Sequence, residues 1–415
     1  MAVKKSADRA VHGQYEAYPY PPRDPADEAK RLITGSPSGL AEIEHYVIGG
    51  RISGVGPFRA LIAGGGTGDA TIMLASQLAA RAIGAEIIHL DISAASLDIA
   101  RARAEARNLD SITFRQASLN DLAALGLGQF DYIDCCGVLH HLEAPAEVLQ
   151  EMAGALKPEG GIGLMLYGRL GRTGVYEAQS LLRLLADDLP DPARIERARA
   201  LLGDLPPTNW LKRNSHVGDH QNIGDAGICD LLLHRRDRAY TFDEIFSLAA
   251  GADLRITGFI EPAHYDPLNY LSDSALKKKA AALPWPEQCA AAELIAGNMK
   301  VHICYLVPAK ASRAAPLSPR APGAVPVLNN VSPEALAGRL KGAPAISLDF
   351  DGAKIRLALP AEAAAMTALV DGERTLPEIR RRLGKAGQKM SPAAFTRQFD
   401  TLYKALNGIN AMLLR

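Results

Sequence analysis

From residue 57 onward, short apolar runs alternate with longer segments whose apolar positions recur at helical spacing. The runs fall at 60–63, 86–90, 112–114, 130–135 and 161–166, and the helical segments at 71–81, 94–106 and 146–156. Strands alternating with helices of about 10–15 residues predict right-handed βαβ units and a parallel sheet. Pro158 to Gly161 is read as the stop of the third helix and the turn into the fifth strand. The alternation then breaks. Residues 168–240 are rich in charge, carry one helical stretch at 176–185, and hold His216, His220 and His234 in a polar segment. This reads as an insertion. The pattern resumes with a helix at 242–249 and strands at 254–260 and 300–307.

The flanks differ in character. Before the sheet, Gln14 to Pro22 is a tyrosine- and proline-rich loop in which Pro19, Pro21 and Pro22 argue against helix. A helix at 40–48 follows, stopped by Gly49 and Gly50. After the sheet, 308–326 has the proline and alanine content of a linker. The organisation expected is an arm at 1–56, a sheet domain at 57–310 with its insertion at about 168–240, a linker at 311–330, and a small, mainly helical domain at 331–415. Residues around Gly372 to Ile379 are similar to winged-helix or peptide-carrier modules.

Composition narrows the class only by exclusion. Lysine plus arginine equals aspartate plus glutamate, 46 against 46, which gives no argument for a nucleic-acid partner. The cysteine count, five, is odd and no C-x-x-C pair occurs, so neither a disulfide framework nor a structural zinc is expected, and no metal site. The polar 1–14 segment has no apolar core of a signal peptide, and no run of 18 apolar residues predicts a membrane span. The expected location is the cytoplasm. Homo-oligomerisation is left open.

The sharpest motif is Leu61-Ile-Ala-Gly64-Gly-Gly66-Thr-Gly68-Asp69, between a strand and a helix. Glycines there let the backbone approach a ligand at the carboxyl edge of a sheet. A dinucleotide loop needs glycine or alanine at its sixth position, where this chain has Asp69 or Thr71. An acid there would also repel a pyrophosphate. S-adenosylmethionine (SAM) has no phosphate and escapes both objections. A plain tight turn is the bland alternative. Asp91, directly after the second strand, suits two ribose hydroxyls; an N-cap role is the alternative, for which Ser93 is better placed. Ser118 follows the third strand, as an adenine contact or an ordinary turn residue. The fourth strand runs through Cys136 into Gly137 and then His140 and His141.

In this order, the glycine loop, the acid, F-D-x-I with H-H-L, and the L-K-P-x-G-G run from Leu156 to Gly161 resemble the class I SAM-dependent methyltransferases. The resemblance covers about 57–170, with 242–307 adding the last strands. It implies an α/β fold: a seven-stranded Rossmann-like sheet, mostly parallel with the last strand antiparallel, and helices on both faces. It implies SAM as cofactor and a methyl acceptor, small molecule or protein, as partner. Gly64, Gly66 and Gly68 would line the methionine part, Asp91 the ribose, Ile92, Ser118 and Leu119 the adenine, and Cys136 and Gly137 the sulfonium end. Many relatives carry Asp where Ser118 stands. The arm with Tyr15, Tyr18 and Tyr20 is similar to a bacterial lid, and its rings would shield the sulfonium; a packed surface arm is the alternative.

Methyl transfer chiefly needs alignment, with a base only where the acceptor holds its proton late. His140, His141 and Tyr167 are the candidates, each against a structural role. His216 and His220 have i, i+4 spacing, but Gly218 and Asn222 speak against a helix that would pair them. Arg235, Arg236 and Arg238 form a basic cluster, for an anionic acceptor or simply a solvated face. Two other functions stay in view: a nucleotide-binding α/β enzyme of another kind, and a non-catalytic SAM-fold protein whose C-terminal domain recognises a partner.

Overall fold

The computed structural model describes residues 11–52, 56–312 and 315–415. Most of the polar N-terminus (1–10), residues 53–55, and 313–314 of the expected linker lie outside the described residues. The central sheet holds β1 (Phe58–Ala63), β2 (Ala85–Asp91), β3 (Ile112–Gln116), β4 (Phe130–Cys136), β5 (Leu156–Tyr167), β6 (Leu254–Phe259) and β7 (Val301–Pro308). Their order is β3-β2-β1-β4-β5-β7-β6. The first five are parallel, and β7 runs antiparallel to both β5 and β6. The fold is the expected Rossmann-like α/β sheet with helices on both faces.

The apolar runs are continuous because both faces are covered. In β1, Leu61 and Ala63 pack with Leu149, Met152 and Phe242, whereas Ala60 and Ile62 pack with Tyr46, Leu74 and Leu78. The chain order reverses between β1 and β4, so their carboxyl ends diverge and leave a crevice above the sheet.

Three local expectations are corrected. The helix before β5 is Pro145–Gly154, and β5 already begins at Leu156. Gly160 and Gly161 are not a turn. A Cβ on Gly161 would lie 2.6 Å from the Leu306 carbonyl oxygen, and one on Gly160 would lie 2.7 Å from that of Phe130. These glycines admit close neighbouring backbone, at a register shift where Pro158 is tolerated. Second, residues 11–17 are helical, including Gln14 and Tyr15, because a proline restricts the residue before it and so bounds a helix only at Tyr18. Third, the insertion is a helical layer with its own core, not a polar loop around one helix. Val175–Ala186, Asp191–Asp204 and Gly224–Leu232 pack through Leu182, Ile195, Ile228 and Leu231. Helices Ser274–Ala281 and Trp285–Ala296, also unforeseen, fill the connection between β6 and β7.

After the linker, four helices (Pro333–Leu340, Ala363–Thr367, Leu376–Lys385, Pro392–Gly408) share a core around Ile379, Phe399 and Leu402. A hairpin, β9 (Ala345–Phe350) with β10 (Ala353–Ala358), joins them. β8 (Pro326–Leu328) pairs with β11 (Met412–Leu414). β11 also reaches the first body: Leu413 packs in the core beneath the sheet, and His45 Nδ1 lies 2.9 Å from the Leu414 carbonyl oxygen.

Two buried features carry stability predictions. Met412, Leu413 and Leu414 are at most 1% exposed. Deleting 412–415 should cost about 5–9 kcal/mol, taking ~1.5–3 kcal/mol for each of the three buried side chains; a urea midpoint unchanged from the full chain would refute this. Arg103, 1% exposed, donates to Glu28 and Asp69, each at 2.7 Å. Arg103→Met strands buried carboxylate and should destabilise by about 3–5 kcal/mol, read from the same denaturation curves.

Candidate functional site

A cavity of about 340 Å³ lies in the crevice at the tips of β1 to β5. Its floor begins at the glycine loop. The N–H groups of Gly64 and Gly65 both donate to the Leu90 carbonyl, folding the loop back over β2. Gly64 has φ +74°, and a Cβ there would meet Val138 at 2.6 Å. Gly66, φ +52°, leaves room for the carbonyl oxygen of Tyr20, 2.8 Å from where its Cβ would stand. One of the three motif glycines therefore makes space for the arm rather than only for a ligand. Gly68 does not line the cavity: its missing Cβ faces Ala100, so it serves helix packing.

Asp91 anchors the loop. One carboxylate oxygen accepts from Gly66 N–H at 2.8 Å and the other from Ser93 N–H at 2.9 Å. Burial raises its pKa. Each oxygen keeps a further lone-pair site for a hydroxyl of a ligand. Ser93 caps the next helix, accepting from Ser96 N–H. Ser118 likewise caps the short turn after β3, accepting from Asn120 N–H, while still bordering the cavity beside Leu119 and Ile92. Cys136 and Gly137 close the β4 side. Below them Asp134 accepts from the Ser38 hydroxyl at 2.6 Å, and burial pushes its pKa up to about 6.

The arm forms the roof, through Val11, Tyr15, Tyr20 and Pro21. It is fastened at several points. Thr67 Oγ1 donates to the Pro21 carbonyl at 2.7 Å, and Ser93 Oγ donates to that of Tyr15 at 3.2 Å. Arg23 holds Asp69 through Nε (2.9 Å) and Nη2 (2.6 Å), and Arg103 takes the same carboxylate from below. Asp69 is thus charge-paired, and the repulsion expected from it is largely cancelled. Tyr18 turns away and packs on the insertion's core.

At the far end, β5 and the insertion meet. Tyr167 donates to Asp230 at 3.1 Å, and Tyr15 donates to the other oxygen of Asp230 at 3.3 Å. Asp230 is buried, and that burial raises its pKa. His141 borders the cavity and stacks on His234 at 3.8 Å. His140 does not border it. Its ring lies behind Tyr167, stacked at 3.9 Å, and burial drives its pKa well down. Arg172 covers the Tyr167 ring at 3.7 Å and pairs with Asp237. Asp230 escaped the sequence reading, and His234 was noted there only as part of a polar segment, since nothing in the motif order announces a site residue in the insertion.

Other candidates lie elsewhere. His216 approaches Asp351 of the C-terminal hairpin, and His220 contacts Gln221. Arg235, Arg236 and Arg238 pair with Asp187, Glu143 and Glu244, away from the cavity.

Comparison with known proteins follows the same lines. Residues 61–162 match the family model of a methyltransferase domain. An uncharacterised protein of Synechococcus sp., syc1184_c, is 32% identical over 275 residues, 64% of this chain and 63% of its own length. The ubiquinone biosynthesis O-methyltransferase of Acinetobacter baylyi is 28% identical over 153 residues, 36% of this chain and 63% of the relative. The chain thus spans less than two thirds of both. Among solved structures, PKMT2 from Rickettsia typhi superposes with a TM-score of 0.60 at 15% identity, covering 87% of this chain and 72% of PKMT2, which is a likeness of fold. Sheet order, family match and relatives together show a methyltransferase domain in this chain, on the class I fold.

Proposed function

We propose that the cavity binds SAM and that the protein transfers its methyl group to an acceptor entering between β5 and the insertion. The carrying observation is the charge of the lining. Among the described residues, Asp91, Asp134 and Asp230 line the cavity beside the charge-paired Asp69, and no lysine or arginine does. A pyrophosphate would find no cation facing it there. A ligand with a sulfonium, an ammonium and one carboxylate suits it better. The PKMT2 structure also exists in complex with AdoHcy, the demethylated product of SAM, which supports the same reading.

When bound, SAM supplies a methyl carbon activated by positive sulfur for in-line displacement. The chain's residues do the placing. Gly64 and Gly66 admit the methionine part. Asp91 takes the ribose hydroxyls. Ile92, Ser118 and Leu119 flank the adenine. Cys136 and Gly137 border the sulfonium end, and Tyr15 and Tyr20 exclude water from above. For an acceptor that still carries its proton, we assign proton uptake to the Asp230 and Tyr167 pair, with His141 facing the same end. A carboxylate whose pKa is raised by burial is the better base. Five free cysteines and no helix long and apolar enough to span a membrane, among the described residues, support placement in the cytoplasm.

Calorimetric titration of the pure chain with SAM, AdoHcy and NAD tests the reading. SAM and AdoHcy should bind and NAD should give no heat; NAD binding without SAM binding would sink it. In the same assay Asp91→Ala should weaken SAM by about 10- to 100-fold, the ~1–3 kcal/mol of a hydrogen bond to a charged group. An unaltered affinity would move the ribose elsewhere.

A further inference from the structure

Behind the acceptor end lies a second constellation. One ligand atom from each of His140, His141 and Asp237 lies within 4.8 Å of the other two. We propose that these three residues bind a divalent transition-metal ion. No motif foretold the set, because the histidines follow β4 and the aspartate comes from the end of the insertion.

The polar groups around the cluster are arranged as a ligand set requires. Both ring nitrogens of His140 are buried with no hydrogen-bond partner, and so is Asp237 Oδ1. A buried polar atom without a partner is costly, and three in one place ask for an explanation. The second atom of each remaining ligand is already held. His141 Nδ1 lies 2.9 Å from the Arg236 carbonyl oxygen, which fixes the proton on Nδ1 and leaves the Nε2 lone pair free. Asp237 Oδ2 accepts from Arg172 at 2.8 Å and Gln179 at 3.0 Å, which orients the carboxylate and leaves Oδ1 free. Metal-binding histidines and carboxylates are held from behind in this way.

Three ligands about 2.1 Å from an ion stand roughly 3.5 Å apart, so small side-chain rotations suffice. Arg172 opposes a cation there, but it is engaged by Asp237 and by the face of Tyr167. The buried carboxylates Asp237 and Asp230 outnumber it. Two imidazoles and one carboxylate suit zinc, ferrous iron or cobalt rather than magnesium or calcium. Three protein ligands also leave a coordination position open, as in reactive rather than structural sites. His141 joins the ion to the cavity, and its lone pair is then no longer available as a base. The site does not depend on the methyl-transfer reading, since neither His140 nor Asp237 touches the cavity.

The full chain, stripped with a chelator, is titrated with zinc chloride by calorimetry near neutral pH and analysed for bound metal. Cobalt(II) is added in parallel and its visible spectrum recorded, since a nitrogen and oxygen site differs there from a cysteine site. A single ion per chain is expected. His140→Gln and Asp237→Asn should each weaken it at least ~100-fold while AdoHcy binding stays as in the unmodified chain. No stoichiometric uptake, or an affinity in either variant equal to that of the unmodified chain, overturns the proposal. If neither variant folds, imidazole resonances of the unmodified chain decide: cobalt must broaden those of His140 and His141, and unchanged resonances overturn it as well.

Discussion

Asp69 sits between two guanidinium groups, and much of the site's shape depends on that bracket. Arg103 reaches it from the helix Ala94–Ala106, and Arg23 from the arm. The same Arg103 holds Glu28, and Arg107 holds the other oxygen of Glu28. One network of alternating charges therefore joins the arm, the glycine loop and the helix after β2. Because Arg103 and Glu28 are almost wholly buried, the network is bound to its geometry: each charge is tolerable only while its partners stay in place. The roof over the cavity rests on this core of charge as much as on apolar contact.

The strands were legible because physics leaves little choice there. Runs such as Leu61 to Ala63 must bury both faces, and a helix between them must return the chain to the same edge. The glycine loop and Asp91 were legible for a related reason, being fixed at strand tips where ligands of such sheets bind. The errors have physical causes too. Gly160 and Gly161 carry the composition of a turn, yet they serve the close approach of neighbouring strands. Gly68 has a ligand loop's spacing and a packing role. Asp69 was weighed as a bare charge, because a linear reading cannot see Arg23 and Arg103 meeting it.

The insertion was the least legible part, and it supplies Asp230, His234 and Asp237. Its helices pack mainly on one another through Leu182, Ile195 and Ile228, so its apolar pattern reports its own small core. Which of its polar residues turn toward the sheet depends on how that layer is docked. The docking runs through the arm, since Gln14 donates to the Cys229 carbonyl and Tyr15 to Asp230. The proposed acceptor end is thus built by three stretches of chain that are remote in sequence.

The fastening of the arm has a kinetic meaning. Tyr20 lies over the glycine loop, and the roof it belongs to is tied down by the Thr67, Ser93 and Asp69 contacts. A spent cofactor leaving on that side must wait for those ties to part together, so turnover there would be timed by the roof and not by chemistry. The pair formed by Arg23 and Asp69 is part-exposed, roughly 30% on each side chain, and salt weakens such pairs. Ionic strength would then act on the residence time of the product, a rate effect that an equilibrium constant alone would hide.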